Sequence, residues 1–415
     1  MSRPNIYTRM RESLRRWRRD GHRVYYVVLL MLTVGSCTIE PPLHTVDPHV
    51  ELVPPTVDLE LEVLWDYLFH YDVEYEWEKE WWYGWDSRDE ELFGKLGYTE
   101  PKAFEVRRYF TQDVPYGRHD APLRDRIEGQ VLQSRFDFGF WDILVWNEIY
   151  SPDGVQSIRL DESTTYEYVK AYTGQTMRTA RYGNTLYTRS FYQPEELFAA
   201  YDEAIEINEN LDGFTFDPER NVWVRRLEMR LQPLSYIYLP QLILHHNNVN
   251  GRKVTGVDGD GNLSGMARAV IMNTGVTTSD AITVNFSTRM KQDLSYKDGE
   301  QVDIVGAKLL TFGITNLNPG GLDTRAYDAS YSKVLEADKD NRHYLDMRLV
   351  FNNGADSTIV FDVTDEVRRL FKGGVITVEL DMDTVPIPNR GGGSGGSGMD
   401  AVVEDEEEEE WEFDM

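Results

Sequence analysis

One cysteine, Cys37, occurs in 415 residues, so no disulfide can close within the chain and no zinc site can be built on several thiolates. Positive charge is also scarce: 43 Lys and Arg stand against 71 Asp and Glu, a formal net charge of −28. Setting aside the eight arginines and two acids of the first 23 residues takes the remainder to −34. A surface of that sign repels phosphates, which excludes nucleic acid as a partner and leaves a membrane reachable only through a covalent group. No stretch beyond Cys37 approaches 18 apolar residues, so nothing there crosses a bilayer as a helix. A zincin motif, a phosphate loop and a dinucleotide fingerprint are all missing. The one literal nucleophile-elbow match, Gly392 to Gly396, lies in a glycine-serine linker with no strand, helix or histidine near it. No catalytic residue, metal ligand set or cofactor is assigned, and enzymatic activity is not expected.

What is present begins with a basic segment, Arg3 to Arg23, followed by VYYVVLLMLTV at 24–34, eleven residues without a charge. This is the layout of an export signal, too short to span a hydrocarbon core. Val34-Gly35-Ser36-Cys37 resembles the lipobox of bacterial lipoproteins, in which cleavage makes the cysteine the first residue and acyl chains are attached to it. At roughly 0.8 kcal/mol per buried methylene, two or three chains hold a protein durably on a membrane. Cys37 is therefore the candidate lipidation site, residues 1–36 a signal peptide, and the proline-rich segment 37–55 a tether.

Alternation starts abruptly after the tether. Val57, Leu59, Leu61, Val63, Trp65, Tyr67 and Phe69 share one parity, and Tyr71, Val73, Tyr75, Trp77 and Trp81 continue it. This predicts a hairpin bending near 69–72, with its apolar face on a core. Further strands are expected at 103–111, 136–149, 157–160, 221–234, 235–246, 281–290, 302–317, 343–351, 356–363 and 374–382. Pro194, Glu195 and Glu196, with Leu197, Tyr201 and Ile205 four apart and Gly213 as a stop, predict one helix. A second, short helix is expected at TDEVRRLFKGG, capped by Thr364 and ended by Gly373. The fold class is all-β: two antiparallel β-sandwich domains, 56–246 and 266–390, flanking a polar glycine-rich loop at 247–265. Residues 391–415 are a Gly/Ser linker and an acidic, disordered tail with ten acids in its last sixteen residues.

Five of the ten tryptophans lie between Trp65 and Trp85. Trp65, Trp77 and Trp81 share the core parity, whereas Trp82 and Trp85 do not, which makes these two the candidate glycan-binding residues. Asp72, Glu74, Glu76, Glu78 and Glu80 form a self-repelling row, for which Arg107, Arg108 and Arg135 are the expected partners. Asp258, Asp260 and Asn262 open like a calcium loop, but Leu263 and Ala269 stand where glycine and glutamate are needed, so a tight glycine turn is expected. His245 and His246 are adjacent at a strand end and so cannot chelate one metal together.

CTIEPPLH, WWYGWD, GYTEP, RRYFTQDVPY, FGFWDILVWNEI, RSFYQPEELF, LDGF, GVDGDGNLSGMAR, VFDVTDEVRRLFKGGVITVEL and DMDTVPIP together resemble a family of Bacteroidetes lipoproteins. That family is similar to fimbrillin-like and fimbria-anchor proteins. The resemblance implies two transthyretin-like sandwiches behind a lipobox. Phe138 to Trp146 is similar to the strand closing the first domain, and Asp362 to Val375 to the last helix-turn-strand. It further implies an outer-membrane, lipid-anchored structural or adhesion protein of a fimbria-like assembly, with fimbrial or other surface subunits as partners through strand addition. A donor strand is not evident at the chain end, which favours an anchor or accessory role. The alternative is a surface glycan-binding lipoprotein. Asp356-Ser357-Thr358 and Asp383-Thr384-Val385 resemble the short O-glycosylation motif of exported Bacteroidetes proteins, making Ser357 and Thr384 candidates.

Overall fold

The computed structural model describes residues 55–63, 77–112, 121–151, 156–162, 169–182, 186–318, 338–389 and 399–400. Cys37, the tether and the acidic tail beyond 400 lie outside these residues. The described chain is mostly strand. Its first part contains β1 (Thr56–Val63), helices α1 (Trp77–Glu80) and α2 (Ser87–Phe93), β2 (Ala103–Thr111), β3 (Leu123–Glu128), β4 (Val131–Arg135) and β5 (Gly139–Asn147). There follow β6 (Ile158–Asp161), β7 (Lys170–Thr173), β8 (Gln175–Tyr182), β9 (Leu186–Tyr192), β10 (Phe198–Ile207), β11 (Thr215–Asp217), β12 (Val222–Pro233) and β13 (Tyr236–His245). Then come β14 (Val254–Ala267), β15 (Ala269–Ile271), β16 (Ala281–Ser287), β17 (Arg289–Ser295), β18 (Gln301–Gly306) and β19 (Leu309–Thr311). The last elements are β20 (Tyr344–Phe351), β21 (Asp356–Asp362), α3 (Thr364–Arg369), β22 (Gly374–Asp381) and β23 (Met399–Asp400).

The first sheet runs β3-β2-β5-β10-β12-β1-β4, with β11 beside β12. Its two outer strands are successive stretches of chain joined by Gly129 and Gln130, whose backbones bond to Lys102 and Leu61, so the row comes close to closing as a barrel. Inside it, Val57, Leu59, Leu61 and Val63 meet Phe104, Val106, Trp141, Ile143, Val145, Met229 and Leu231. The period-two reading of β1 holds, since all four of its core residues are at most 6% exposed. Its partners differ from expectation: β1 runs parallel to β12 and antiparallel to β4. Residues 64–76 lie outside the described part, and Trp77 to Glu80 form α1 rather than the second arm of a hairpin.

Two further sheets enclose the largest apolar cluster. One runs β23-β21-β20-β14-β16-β9-β8, and the other contains β17, β18, β13 and β19 with β22 on the free side of β13. Tyr238, Leu242 and Leu244 of β13 enter that cluster with Leu263, Val284, Val305, Met347, Phe361, Ile376 and Phe371. Ile237, Leu239 and Ile243, on the opposite face of β13, join a separate cluster. Both faces are thus buried, which is why this strand reads as an unbroken apolar run. A small sheet, β15-β7-β6, completes the set. Four pairs are parallel, β1 with β12, β9 with β16, β13 with β22 and β21 with β23, so the pairing is not antiparallel throughout.

The helix expected near Pro194 is strand β10 instead. Phe198 and Ala200 face the barrel cluster while Leu197 and Ala199 face another, so apolar residues occur at successive positions. A bulge between Asp202 and Ile205 then flips the parity. It is held by Ala204 at φ 55°, whose N–H donates to buried Asp142 at 2.7 Å. Double burial and a bulge together imitate helical spacing. In the glycine-rich stretch after His246, residues from Val254 onward belong to β14, interrupted by a bulge between Val257 and Gly261. Its Asp258 pairs with Arg348, Asp260 with Arg178, and Asn262 with Asp346, three separate partners. Helix α3 forms as expected, but Val363 occupies the cap position, and the Thr364 hydroxyl accepts from the His343 N–H at 3.0 Å.

Glycine at 306 is required by packing: a Cβ there would lie 2.4 Å from the ring of Tyr83. Gly306→Ala is expected to destabilise the protein by roughly 1–3 kcal/mol through overpacking, seen as a lower urea midpoint. Gly251→Ala, with φ +89° and open space around it, should cost only about 1 kcal/mol.

Candidate functional site

Residues 77–98 leave the barrel sheet between β1 and β2 and lie as a strap over the outer face of the β13–β18 sheet. Trp81 and Tyr83 are buried there against Ile237, Leu239, Ile243, Ile304 and Val375. Trp81 therefore does pack in a core, but on a different sheet from the one its parity with β1 suggested. The strap is pinned by buried polar groups. Gln241, fully buried on β13, accepts the N–H groups of Trp82 and Tyr83 at 3.0 and 3.1 Å. Its amide nitrogen donates to Glu80 O at 2.6 Å and Thr377 Oγ1 at 2.8 Å, so every hydrogen-bonding position of that side chain is used. Lys308, with its charge disfavoured by burial, donates to the carbonyls of Lys95 and Gly97. Tyr98 donates to Ser235 O at 2.5 Å.

Asp89 is the electrostatic centre of the strap. It is fully buried and receives Tyr83 Oη at 2.7 Å, Arg289 Nη1 at 2.6 Å and Lys291 Nζ at 2.6 Å. Asp86 caps α2 through the N–H groups of Arg88 and Asp89, while Asp89 returns a bond to the Asp86 N–H, a complete capping box. Burial pushes the Asp89 carboxyl upward, but hydrogen bonds from Lys291, Tyr83 and Arg289 outweigh it and hold it below the usual range.

Trp82 and Trp85 are half-buried on this strap, Trp82 edge-on to Tyr296 at 4.8 Å and Trp85 against Phe93 at 5.7 Å. Of the predicted acidic row, Asp72, Glu74 and Glu76 lie outside the described residues, and Glu78 and Glu80 are exposed on α1. Arg107 pairs with Glu105 and Glu162 and stacks on Trp146; Arg108 pairs with Asp125 and donates to Arg135 O. These arginines pair with acids on β2 and β3 and just beyond β6, so the pairing with the row does not occur among the described residues. His245 and His246 diverge, to Glu300 and Glu379 and to Asp381 respectively. Ser357 sits in β21 at 8% exposure, and exposed Thr384 donates its hydroxyl to Asp381 O.

Sheet edges are the remaining candidates. β21 and β22, consecutive through α3, are terminal strands of the core chain in the two sheets that enclose the large cluster. Among the described residues β22 pairs with β13 alone. β21 pairs on its inner side with β20 and on its outer side, in parallel, with β23, matching Ile359 to Met399 and Val360 to Asp400. The edge strand β17 is unlike these: it is bulged between Lys291 and Leu294 and carries Asp293 at φ 53°, features that blunt an edge.

The described chain is mostly strand, with sheet edges bordering a shared apolar core. No protein-family model and no curated protein matches it. Solved structures do. A candidate adhesin of Bacteroides ovatus is 15% identical, with 82% of this chain and 95% of that one covered and a TM-score of 0.45. The fimbrial anchor protein Mfa2 of Porphyromonas gingivalis is 9% identical over 79% and 91%, TM-score 0.36. A fimbrial assembly protein of Parabacteroides distasonis is 10% identical over 79% and 91%, TM-score 0.28. These are adhesin and fimbrial proteins, the kind of protein that the sequence blocks resemble.

Replacing Asp89 by Asn leaves the partly buried Arg289 and Lys291 with exposed Asp86 as their carboxylate and should cost about 3 kcal/mol. Because the native carboxyl titrates below its unfolded value of about 3.9, its contribution is complete above that pH and is lost as pH falls through the depressed native value. Urea midpoints measured against pH should therefore fall less steeply in acid for Asp89→Asn than for the parent.

Proposed function

We propose that this chain is a lipid-anchored structural or adhesion protein of the outer membrane, serving as anchor or accessory component of a fimbria-like assembly. Cys37 carries acyl chains, the proline tether gives standoff, and the strand-built body meets a partner at a sheet edge. In this reading the near-barrel sheet and the pair of sheets around the large cluster are the two sandwich domains, with β8, β9 and β13 carried into the second.

The observation that supports it is the parallel strand on β21. Met399 and Asp400 pair there across an eight-residue Gly/Ser segment, 391–398. Main-chain hydrogen bonds supply affinity in strand addition and depend little on the donor sequence, so an edge that accepts the chain's own tail also accepts a partner's strand. The core beneath it, with Ile359 and Phe361 nearly inaccessible, is already complete. An added strand therefore extends the sheet without rebuilding the body.

Two measurements test this reading. Native protein should carry acyl chains on Cys37 and lack residues 1–36 by mass spectrometry, and Cys37→Ser should leave the membrane fraction; an unmodified thiol with the leader attached overturns the anchor. A photocrosslinker at Thr358, on β21, should capture fimbrial subunits in host membranes, more strongly once residues 391–415 are deleted. Capture of no surface subunit by either form overturns the assembly role.

A further inference from the structure

β13 and β22 end side by side, with His245 opposite Asp381. The next residue, His246, takes φ 55° and leaves the strand. Its Nδ1 lies 3.0 Å from Asp381 Oδ1 and 3.8 Å from Asp383 Oδ2. One donor atom from each of these three side chains falls within 4.8 Å of the other two. Each side chain is about half exposed, at 48%, 46% and 56%, so an ion from solvent reaches all three without opening the fold.

The geometry points to a divalent transition-metal site formed by His246, Asp381 and Asp383, of the class occupied by zinc. One imidazole nitrogen and two carboxylate oxygens make a borderline donor set; calcium and magnesium favour oxygen alone, and copper(I) favours sulfur. Three protein ligands at the surface leave further coordination positions to water. The strongly acidic chain raises the local concentration of any cation.

The two carboxylates are held ready. Asp381 and Asp383 flank Met382, which is fully buried and donates its N–H to His245 O at 3.0 Å. Asp381 Oδ1 accepts the Asp383 N–H at 2.9 Å, and Thr384 donates both its N–H and its hydroxyl to Asp381 O. Val385, buried in the large cluster, anchors the far side of the turn. Little freedom is therefore lost when an ion arrives. Neighbouring charges define the limits of the site. Lys253 Nζ bonds Met382 O and stands 3.8 Å from Asp383 Oδ1, where it competes with a metal for that oxygen. His245 is not a ligand: its Nδ1 is 3.0 Å from Glu300 Oε1 and its Nε2 3.0 Å from Glu379 Oε2. A bound ion would staple the end of β13 to the turn after β22, its parallel neighbour.

The test is calorimetric titration of Zn2+ into the full chain in detergent, with Mg2+ in excess to occupy the acidic tail. One saturable site per chain is expected, weakened at least about tenfold by His246→Gln and by Asp383→Asn. Zn2+ should raise the melting temperature of the parent and of neither variant, while all three melt alike without metal. Lys253→Met should tighten binding. The assignment is overturned if no saturable site is found, if both ligand variants bind as the parent does, or if His245→Gln abolishes binding while His246→Gln keeps it.

Discussion

The structure depends on one strand being buried on both faces. β13 has the large cluster on one side and the strap cluster on the other, and it hydrogen-bonds to β18 and β19 along one edge and β22 along the other. On a strand so enclosed a strongly polar side chain is costly unless its hydrogen bonds are satisfied. Gln241 meets that condition by holding the strap and β22 at once. The apolar cover and the amide therefore depend on each other. Without the strap the outer face of the sheet would be a large exposed apolar patch, and without Gln241 the Trp82 and Tyr83 N–H groups would be buried unpaired.

Around that strand, charge is used sparingly and locally. The buried carboxylates of Asp89 and Asp303 each meet more than one donor, Asp303 taking Arg252 and Asn247. Asp338 is likewise closed in by His343, Arg368 and Thr315, where the chain re-enters the described part before β20. Such networks fix turns and bulges at particular places. The excess acid is left to exposed positions and to the acidic run beyond 400, which in the proposed role leaves a covalent lipid as the route to a bilayer. The edge beside β21 and the turn beyond β22 lie at the two ends of the same closing segment, 356–385, so attachment and metal binding are proposed for one short stretch of chain.

Strand positions are legible where alternation is clean: the expected 103–111 coincides with β2, 356–363 and 374–382 match β21 and β22 within one residue, and the expected start at Val57 lies one residue from that of β1. The helix expected near Pro194 shows where that signal ends. A strand buried on both faces and bulged at Ala204 loses its alternation, and its apolar spacing then mimics a helix. The stretch after His246 shows the reverse error in its second half, where two glycines serve tight packing within β14 rather than a loop. Gly261 has the Phe286 ring where a Cβ would go, and Gly265 has the Arg342 carbonyl. Arg107 and Arg108 could be recognised as arginines needing acids, but of their partners Glu162 lies just beyond β6 and Asp125 on β3, placements that no local pattern records.

By itself the sequence determined composition-driven properties: a mostly-β body, an excess of acid, a single thiol behind a basic and then apolar stretch, and a glycine-serine segment before an acidic run. These follow from residue type and short-range period, which require no knowledge of neighbours. Only the tertiary structure decided what crosses from one sheet to another. The strap on β13 joins residues 158 apart through Gln241 and Tyr83, and the metal-binding triad joins His246 to Asp381 across 135 positions. Such contacts are set by strand order and register, and no local pattern records which strand will lie beside which.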